Sequence, residues 1–126
     1  MNGELRPIHY RHISQYLPPD KVEFIYPYAQ LSDPLLACMY GDTFLCMIGF
    51  IPKSILADEA YLWMNDAPAV REHKVTVGRW ARRLIPEALK RYPRIYGFCG
   101  DHSERWLKSL GAEISGNRFV IEAKHV

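Results

Sequence analysis

Hydrophobic and polar positions along the chain predict an alternation of strands and helices. The stretch LLACMYGDTFLCMIGF is apolar at odd and even positions on both sides of a turn at residues 40–43. This pattern predicts a hairpin whose two faces are both covered by other elements. EAYLWMND and RIYGFCG are predicted as two more strands, ELRPI as a short first strand, and AEI and RFVIEA as a closing hairpin around residues 115–117.

Helical periodicity is clearest from Gly78 onward, in GRWARRLIPEALKRY, where apolar residues recur at the spacing of a core-facing helix. Two short helices are predicted earlier, HYRHISQYL and KVEFIY, and Pro27 is expected to stop the second. Asp101 is predicted to cap a last helix, ERWLKSL, which ends at Gly111. The order of elements predicts an α/β fold with a central mixed β-sheet and helices on both faces.

Length and composition set the broad class of the protein. With 126 residues, of which 48% are hydrophobic and 24% charged, the chain is expected to form a single globular domain over residues 1–126. The apolar runs are too short for a membrane span, and the first residues lack the apolar region of a secretion signal. The expected location is therefore the cytoplasm.

Metal chemistry finds no support in the residue pattern. The three cysteines lie inside apolar runs without CxxC spacing, and the five histidines show no paired ligand spacing. The sequence therefore predicts buried free thiols and no metal site.

The stretch HKVTVGRWARR, residues 73–83, is the most distinctive local feature. It allows three interpretations: a nucleic-acid patch, a phosphate cradle, or the solvated face of a helix. The net charge of +2 argues against strong binding to nucleic acid. Trp80 among Arg79, Arg82 and Arg83 would suit a contact surface for a protein partner.

The order of elements resembles the GCN5-related N-acetyltransferase (GNAT) superfamily over essentially the whole chain. LRPI is similar to the opening of that family, and ERWLKSLGAE to its closing helix. The sequence is most similar to short GNAT-like proteins of tailed bacteriophages, of the internal virion protein A type. The resemblance implies the GNAT (acyl-CoA N-acyltransferase) fold and a phage-encoded protein that would act in the host cytoplasm.

The resemblance also implies a coenzyme site. In this family acyl-CoA lies where two parallel strands splay apart, here AYLWMN and RIYGFC, and its pyrophosphate rests on a Q/RxxGxG/A turn before the long helix. That turn falls on HKVTVG, where only the last glycine of the pattern, Gly78, is retained. The positions implied for the coenzyme are Trp63, Met64, Asn65, His73, Lys74, Val75, Thr76, Val77, Gly78 and Arg79.

The implied reaction is transfer of an acetyl group from acetyl-CoA to an amine, with a host protein as one candidate acceptor. Glu59 is the expected base. The tyrosine that serves as acid in the family is replaced by Leu107, so the thiolate would take its proton from water or from another group such as His102 or Tyr96. One alternative stays open at this point: a non-catalytic scaffold that binds a host or virion protein through Trp80 and Arg82. Large side chains such as Tyr61 could also plug the cleft.

Overall fold

The computed structural model describes residues 3–54, 58–100 and 103–123. Its strands are β1 (Gly3–Pro7), β2 (Leu35–Tyr40), β3 (Thr43–Pro52), β4 (Glu59–Asp66), β5 (Arg94–Phe98), β6 (Glu113–Ser115) and β7 (Arg118–Glu122). Its α-helices are α1 (Pro19–Leu31), α2 (Lys74–Arg91) and α3 (Glu104–Ser109), and two 3₁₀ helices span Tyr10–Gln15 and Pro68–Glu72. No helix among the described residues has the length and apolar character needed to cross a membrane.

The strands form one seven-stranded sheet in the order β1-β2-β3-β4-β5-β7-β6. The β4–β5 pair is parallel, and the other neighbouring strands are antiparallel. The predicted hairpins β2–β3 and β6–β7 are both present, and Gly116 supplies the positive φ of 62° that the second turn needs. The mixed sheet predicted from the sequence is therefore confirmed.

Helices cover both faces of the sheet, as predicted. On one face, α2 and α3 pack over a core that includes Leu62, Ile95 and Phe119. On the other face, α1 and the first 3₁₀ helix pack over Met47 and Trp63. Alternation along β4 sends Leu62 into the first core and Trp63 into the second.

Two helix boundaries differ from the prediction. Helix α1 continues through Pro27 to Leu31, and α2 begins at Lys74 rather than at Gly78. Pro27 lies on the exposed side of α1, where water can solvate the Glu23 carbonyl that loses its intrahelical partner. In α2 the earlier start buries Val77 in the core, and this burial outweighs the weak helix propensity of the β-branched residues in KVTV.

Trp80 does not belong to the exposed basic face. Its side chain is only 8% exposed and packs in the core under α2. It also covers Gly3 of β1 so closely that a Cβ atom at that position would overlap the indole ring. The proposed partner contact through Trp80 is therefore wrong, whereas Arg79, Arg82 and Arg83 are exposed as expected.

Gly49 of β3 allows α1 to sit close to the sheet. The Trp63 indole donates a 2.7 Å hydrogen bond from Nε1 to Ser32 Oγ at the end of α1. A Cβ atom on Gly49 would overlap both of these partners. The absence of a side chain at this position is thus what permits the link between β4 and α1.

We expect Gly49→Ala to lower the free energy of unfolding by about 1–3 kcal/mol, because the added methyl group must displace the Trp63–Ser32 hydrogen bond. Gly100→Ala is the matched control, since a Cβ there meets open space. Urea denaturation of both variants measures the difference. Equal stabilities would contradict the assigned packing.

Candidate functional site

A cleft opens in the middle of the sheet because β4 and β5 pair over a short length only. Their parallel ladder runs from Glu59 and Arg94 to Tyr61 and Tyr96, and it ends there. Beyond this point β4 stays paired with β3, and β5 stays paired with β7. The two strands therefore diverge toward their carboxyl ends, where ligands bind in open α/β sheets.

The cleft has a volume of about 650 Å³. It is lined by Tyr61, Leu62, Trp63, Met64, Asp66, Val70, Lys74, Val77, Gly78, Phe98, Gly100, Ser103, Trp106, Leu107 and Phe119. These residues come from both faces of the sheet, so the cleft connects the side covered by α2 and α3 with the side covered by α1.

Large aromatic residues border the cleft without filling it. The Trp63 ring is held on the α1 side by its hydrogen bond to Ser32. Tyr61 packs against Tyr96 and Phe98, with ring centroids 5.8 and 6.1 Å away. The space between β4 and β5 is therefore open, and the plug considered from the sequence is not formed.

The first turns of α2 form one wall of the cleft, through Lys74, Val77 and Gly78. Since α2 begins at Lys74, HKVTVG is not a turn that precedes the helix but largely its first turn. The first N–H groups of a helix lack intrahelical acceptors, and the helix dipole adds positive potential there. With the Lys74 ammonium group beside them, these N–H groups make this end of the cleft suitable for an anion.

Gly78 faces Trp106 of α3 across the cleft. A Cβ on Gly78 would lie 3.7 Å from Trp106 Nε1, which is an ordinary van der Waals distance. Within the described part of the chain this indole N–H has no hydrogen-bond acceptor, so it is available to a ligand. The sequence interpretation did not select Trp106, because a six-residue helix has too few turns to show which residues face a cleft.

Asp66 is the acidic side chain among the lining residues. Strand alternation places it on the same face as Leu62 and Met64, at the open end of β4. Desolvation raises the pKa of its carboxyl group above the ordinary value, and the charge of Lys21 opposes this to a smaller extent. Asp66 is nevertheless an exposed residue, so its carboxyl group is only partly desolvated and, when ionised, is a slightly better proton acceptor than a fully hydrated aspartate.

Glu59, the base expected from the sequence, is not among the residues that line the cleft. It lies where β4 and β5 are still paired, 2.9 Å from Arg94 and 3.3 Å from Lys53. The hydrogen bond from Arg94, supported by Lys53, lowers the pKa of the Glu59 carboxyl group. A carboxylate engaged in this way is a weak base, and its position suits a structural role.

Only some of the residues predicted to bind the coenzyme line the cleft. Trp63, Met64, Lys74, Val77 and Gly78 line the cleft. The remaining positions are not among the lining residues: Asn65, His73, Val75, Thr76 and Arg79.

The structure shows the environment of three residues that the sequence analysis singled out, His73, Val75 and Leu107. His73 packs its ring on Tyr40 at a centroid distance of 4.6 Å, and Val75 is 71% exposed. Leu107, at the position of the expected acid, is buried. His102 and Asp101, the predicted cap of the last helix, lie outside the described residues; the residue at the N-cap of α3 is Ser103.

A metal centre was not expected from the sequence. Among residues 3–54, 58–100 and 103–123, no group of three or more His, Cys, Asp or Glu side chains is arranged to hold a metal ion. Cys38 and Cys46 are buried free thiols on paired strands, as predicted, whereas the free thiol Cys99 is only partly buried.

Solved structures show what this arrangement resembles. A spermidine N-acetyltransferase from Vibrio cholerae, solved in complex with CoA and spermine, is 14% identical with a TM-score of 0.64, over 98% of this chain and 97% of that chain. A protein from Exiguobacterium sp. 255-15 assigned as an acetyltransferase is 12% identical with a TM-score of 0.68, over 99% of this chain and 96% of that chain.

No protein-family model matches the sequence, and a search of curated proteins gives no significant match. At these identities the likeness concerns the fold. The mixed sheet, the helices on both faces and the full-length likeness together show the GNAT fold expected from the sequence.

We expect Glu59→Gln to lower the melting temperature at pH 7, because Arg94 and Lys53 lose their shared carboxylate. The pKa of Glu59 is lowered on folding. The stabilisation is therefore complete above the unfolded-state pKa of glutamate, about 4.3, and is lost as the pH falls through the lower folded-state pKa.

Thermal unfolding from pH 7 down to pH 3 tests this, with the difference between wild type and variant shrinking below about pH 4.3. Glu87→Gln is the control, since its exposed pair with Lys90 contributes little. A difference that persists unchanged at the lowest pH would contradict the structural role of Glu59.

Proposed function

We propose that this protein binds an acyl-CoA, with acetyl-CoA as the expected donor, and transfers the acyl group to a primary amine. The observation that carries the proposal is the open cleft between β4 and β5, with the amino end of α2 on one side of the sheet and an aromatic surface on the other. Further support comes from a protein of the same fold that was solved with CoA and spermine.

The coenzyme is proposed to enter on the side of α2 and α3. Its phosphates would lie at the amino end of α2 beside Lys74, where backbone N–H groups and the helix dipole attract an anion. Its pantetheine arm would run along β4 beyond Tyr61, where the ladder to β5 has ended and backbone groups can pair with an added strand. Trp106 Nε1–H could donate a hydrogen bond from the opposite wall.

The proposed reaction is attack of a neutral amine nitrogen on the thioester carbonyl carbon. A C–N bond forms, the C–S bond breaks, and the sulfur leaves as a thiolate. The nitrogen becomes positively charged on attack and loses its proton to water in the cleft. Asp66 is the carboxylate to which that water would pass the proton in place of Glu59, because it lines the cleft about 16 Å along β4 from Tyr61. Since a thiol has a pKa of about 8.5, the thiolate can leave without a tyrosine at position 107 and take its proton from water.

The alternative function, binding of a protein partner, relied on Trp80 as the aromatic contact residue. Trp80 is buried under α2 and cannot contact a partner. The exposed arginines of α2 remain as a contact surface, but nothing else in the described residues favours a partner at that place. The bacteriophage resemblance, the cytoplasmic location and a host or virion protein as partner or acceptor stay predictions from the sequence.

Acetyl-CoA at a concentration about a hundred times its Kd should raise the melting temperature of the protein by about 5 to 10 °C, because it binds the folded state and not the unfolded one. Gly78→Leu should abolish this rise, because the leucine side chain fills the space between α2 and Trp106. Gly78→Ala is the matched control and should keep the rise, given the 3.7 Å clearance. If wild type shows no rise and no heat of binding by calorimetry, the coenzyme proposal fails.

Asp66→Asn should reduce kcat for acetyl transfer by less than the roughly hundredfold typical of a base in direct contact, because the amide cannot accept the proton that water relays to it. In the wild type, kcat should fall as the pH drops through the raised pKa of Asp66, and the variant should lack this dependence. The rate is followed by the thiol released from acetyl-CoA. Glu59→Gln serves as control and should leave kcat nearly unchanged; a larger effect from this variant than from Asp66→Asn would reverse the assignment.

A further inference from the structure

The connection between β4 and α2 is held at both of its ends on the β2–β3 hairpin. It consists of the second 3₁₀ helix, Pro68–Glu72, with Ala67 before it and His73 after it. At its start, the Ala67 N–H donates a 2.9 Å hydrogen bond to the Leu45 carbonyl group of β3. At its end, the His73 ring packs on the ring of Tyr40, the last residue of β2. The hairpin therefore fixes the place where α2 begins.

The contact between His73 and Tyr40 is a tilted stack of two flat rings. Their centroids lie 4.6 Å apart and their planes meet at 33°, within the range of offset aromatic pairs. Both residues are partly buried, and Tyr40 packs against the core that α2 covers. The two rings thus join the hairpin to the start of α2 at the border of that core.

His73 occupies the N-cap position of α2, but its side chain makes no capping hydrogen bond. Its carbonyl group accepts the first intrahelical bond, from the Val77 N–H at 3.0 Å. Its imidazole ring packs on Tyr40 and does not accept from the N–H groups of the first turn. Those N–H groups therefore receive no acceptor from the side chain of the N-cap residue, and they remain available to an anion.

The first turn of α2 has few other contacts that would hold it in place. A helix end without a side-chain cap is less stable and tends to fray. Lys74 and Val75 are exposed, Thr76 is partly buried, and Val77 is the first residue of the helix to enter the core. The ring stack of His73 therefore compensates for the missing cap.

This turn is the part of the cleft where the coenzyme phosphates are proposed to lie. Lys74 and Val77 line the cleft, whereas His73 and Tyr40 are not lining residues. Backbone N–H groups bind an oxygen atom well only at about 2.9 Å and in a nearly straight line. The affinity for the phosphates therefore depends on how well the position of the turn is fixed.

We propose that Tyr40 is a positioning residue for coenzyme binding. It holds the imidazole ring of His73 and thereby keeps the uncapped first turn of α2 in the geometry that receives the phosphates. Neither residue touches the coenzyme, and His73, expected from the sequence to contact it, acts indirectly through the stack. This inference rests on the proposed binding of acyl-CoA and adds the pair of residues that sets the affinity for its phosphate end.

The test measures by calorimetry the Kd of two ligands, acetyl-CoA and S-acetylpantetheine, which carries the thioester but no phosphate. Tyr40→Leu removes the flat ring and keeps an apolar side chain. It should weaken acetyl-CoA binding by about three- to tenfold, the factor that corresponds to one aromatic pair, and leave the Kd of S-acetylpantetheine unchanged. Tyr40→Phe keeps the ring and should bind acetyl-CoA as the wild type does.

A double-mutant cycle tests the pairing itself. His73→Leu should weaken acetyl-CoA binding by the same factor as Tyr40→Leu, and the two changes together should weaken it no further, since either one alone breaks the stack. Phe24→Leu is the matched control. It removes a ring that stacks on Tyr28 of α1 and does not line the cleft, so neither Kd should change.

Three results would each overturn the positioning role: an unchanged Kd of acetyl-CoA in Tyr40→Leu, an equal loss for both ligands, or additive effects in the double variant. Binding of acetyl-CoA to the wild type would still leave the coenzyme proposal intact. Should Tyr40→Leu not fold, His73→Leu measured with the two ligands decides in the same way. Absence of acetyl-CoA binding to the wild type would overturn both proposals.

Discussion

The short parallel pairing of β4 and β5 is the constraint on which the rest of the structure depends. Three residue pairs join the two strands, and then each strand follows its outer neighbour, β3 or β7. Because β4 is paired with β3 and β5 with β7 in antiparallel ladders, both strands stay hydrogen-bonded within the sheet where the ladder between β4 and β5 ends. The sheet opens there into a cleft that passes from one face to the other. The ion pairs of Glu59 with Arg94 and Lys53 lie at the closed end, where β4 and β5 are still paired, and help to hold the two strands together.

The two sides of the cleft differ in chemistry because different elements cover them. On the side of α2 and α3, a helix amino end, Lys74 and an indole N–H offer positive potential and hydrogen-bond donors. On the side of α1, tyrosine and phenylalanine rings offer an apolar surface. An anionic group therefore suits the first side, and an apolar group suits the second. In the proposed reaction, this separation would let the two substrates approach each other from opposite faces.

Much of the fold could be predicted from local pattern. The apolar runs on both sides of Gly41 could only form strands covered on both faces, and the periodicity of α2 identified Ile85 and Leu89 as core residues. The site was predicted less well. Asp66, Trp106 and Phe98 have no distinctive spacing, and their places in the cleft follow from strands and helices that are distant in sequence. The family resemblance implied a turn before Gly78, but with Val77 buried in the core these residues form the first turn of α2.

The sequence by itself determined the order of elements, the two turns and the face of α2 that enters the core, because these follow from the spacing of neighbouring residues. Only the tertiary structure decided which carboxylate faces the cleft, where Trp80 lies and which aromatic rings meet. Glu59 and Asp66 stand at the two ends of one strand and look alike in sequence. The ladder to β5 holds the first in ion pairs and leaves the second at the open end. Burial and electrostatics at these positions depend on residues brought together by folding, and no local pattern records them.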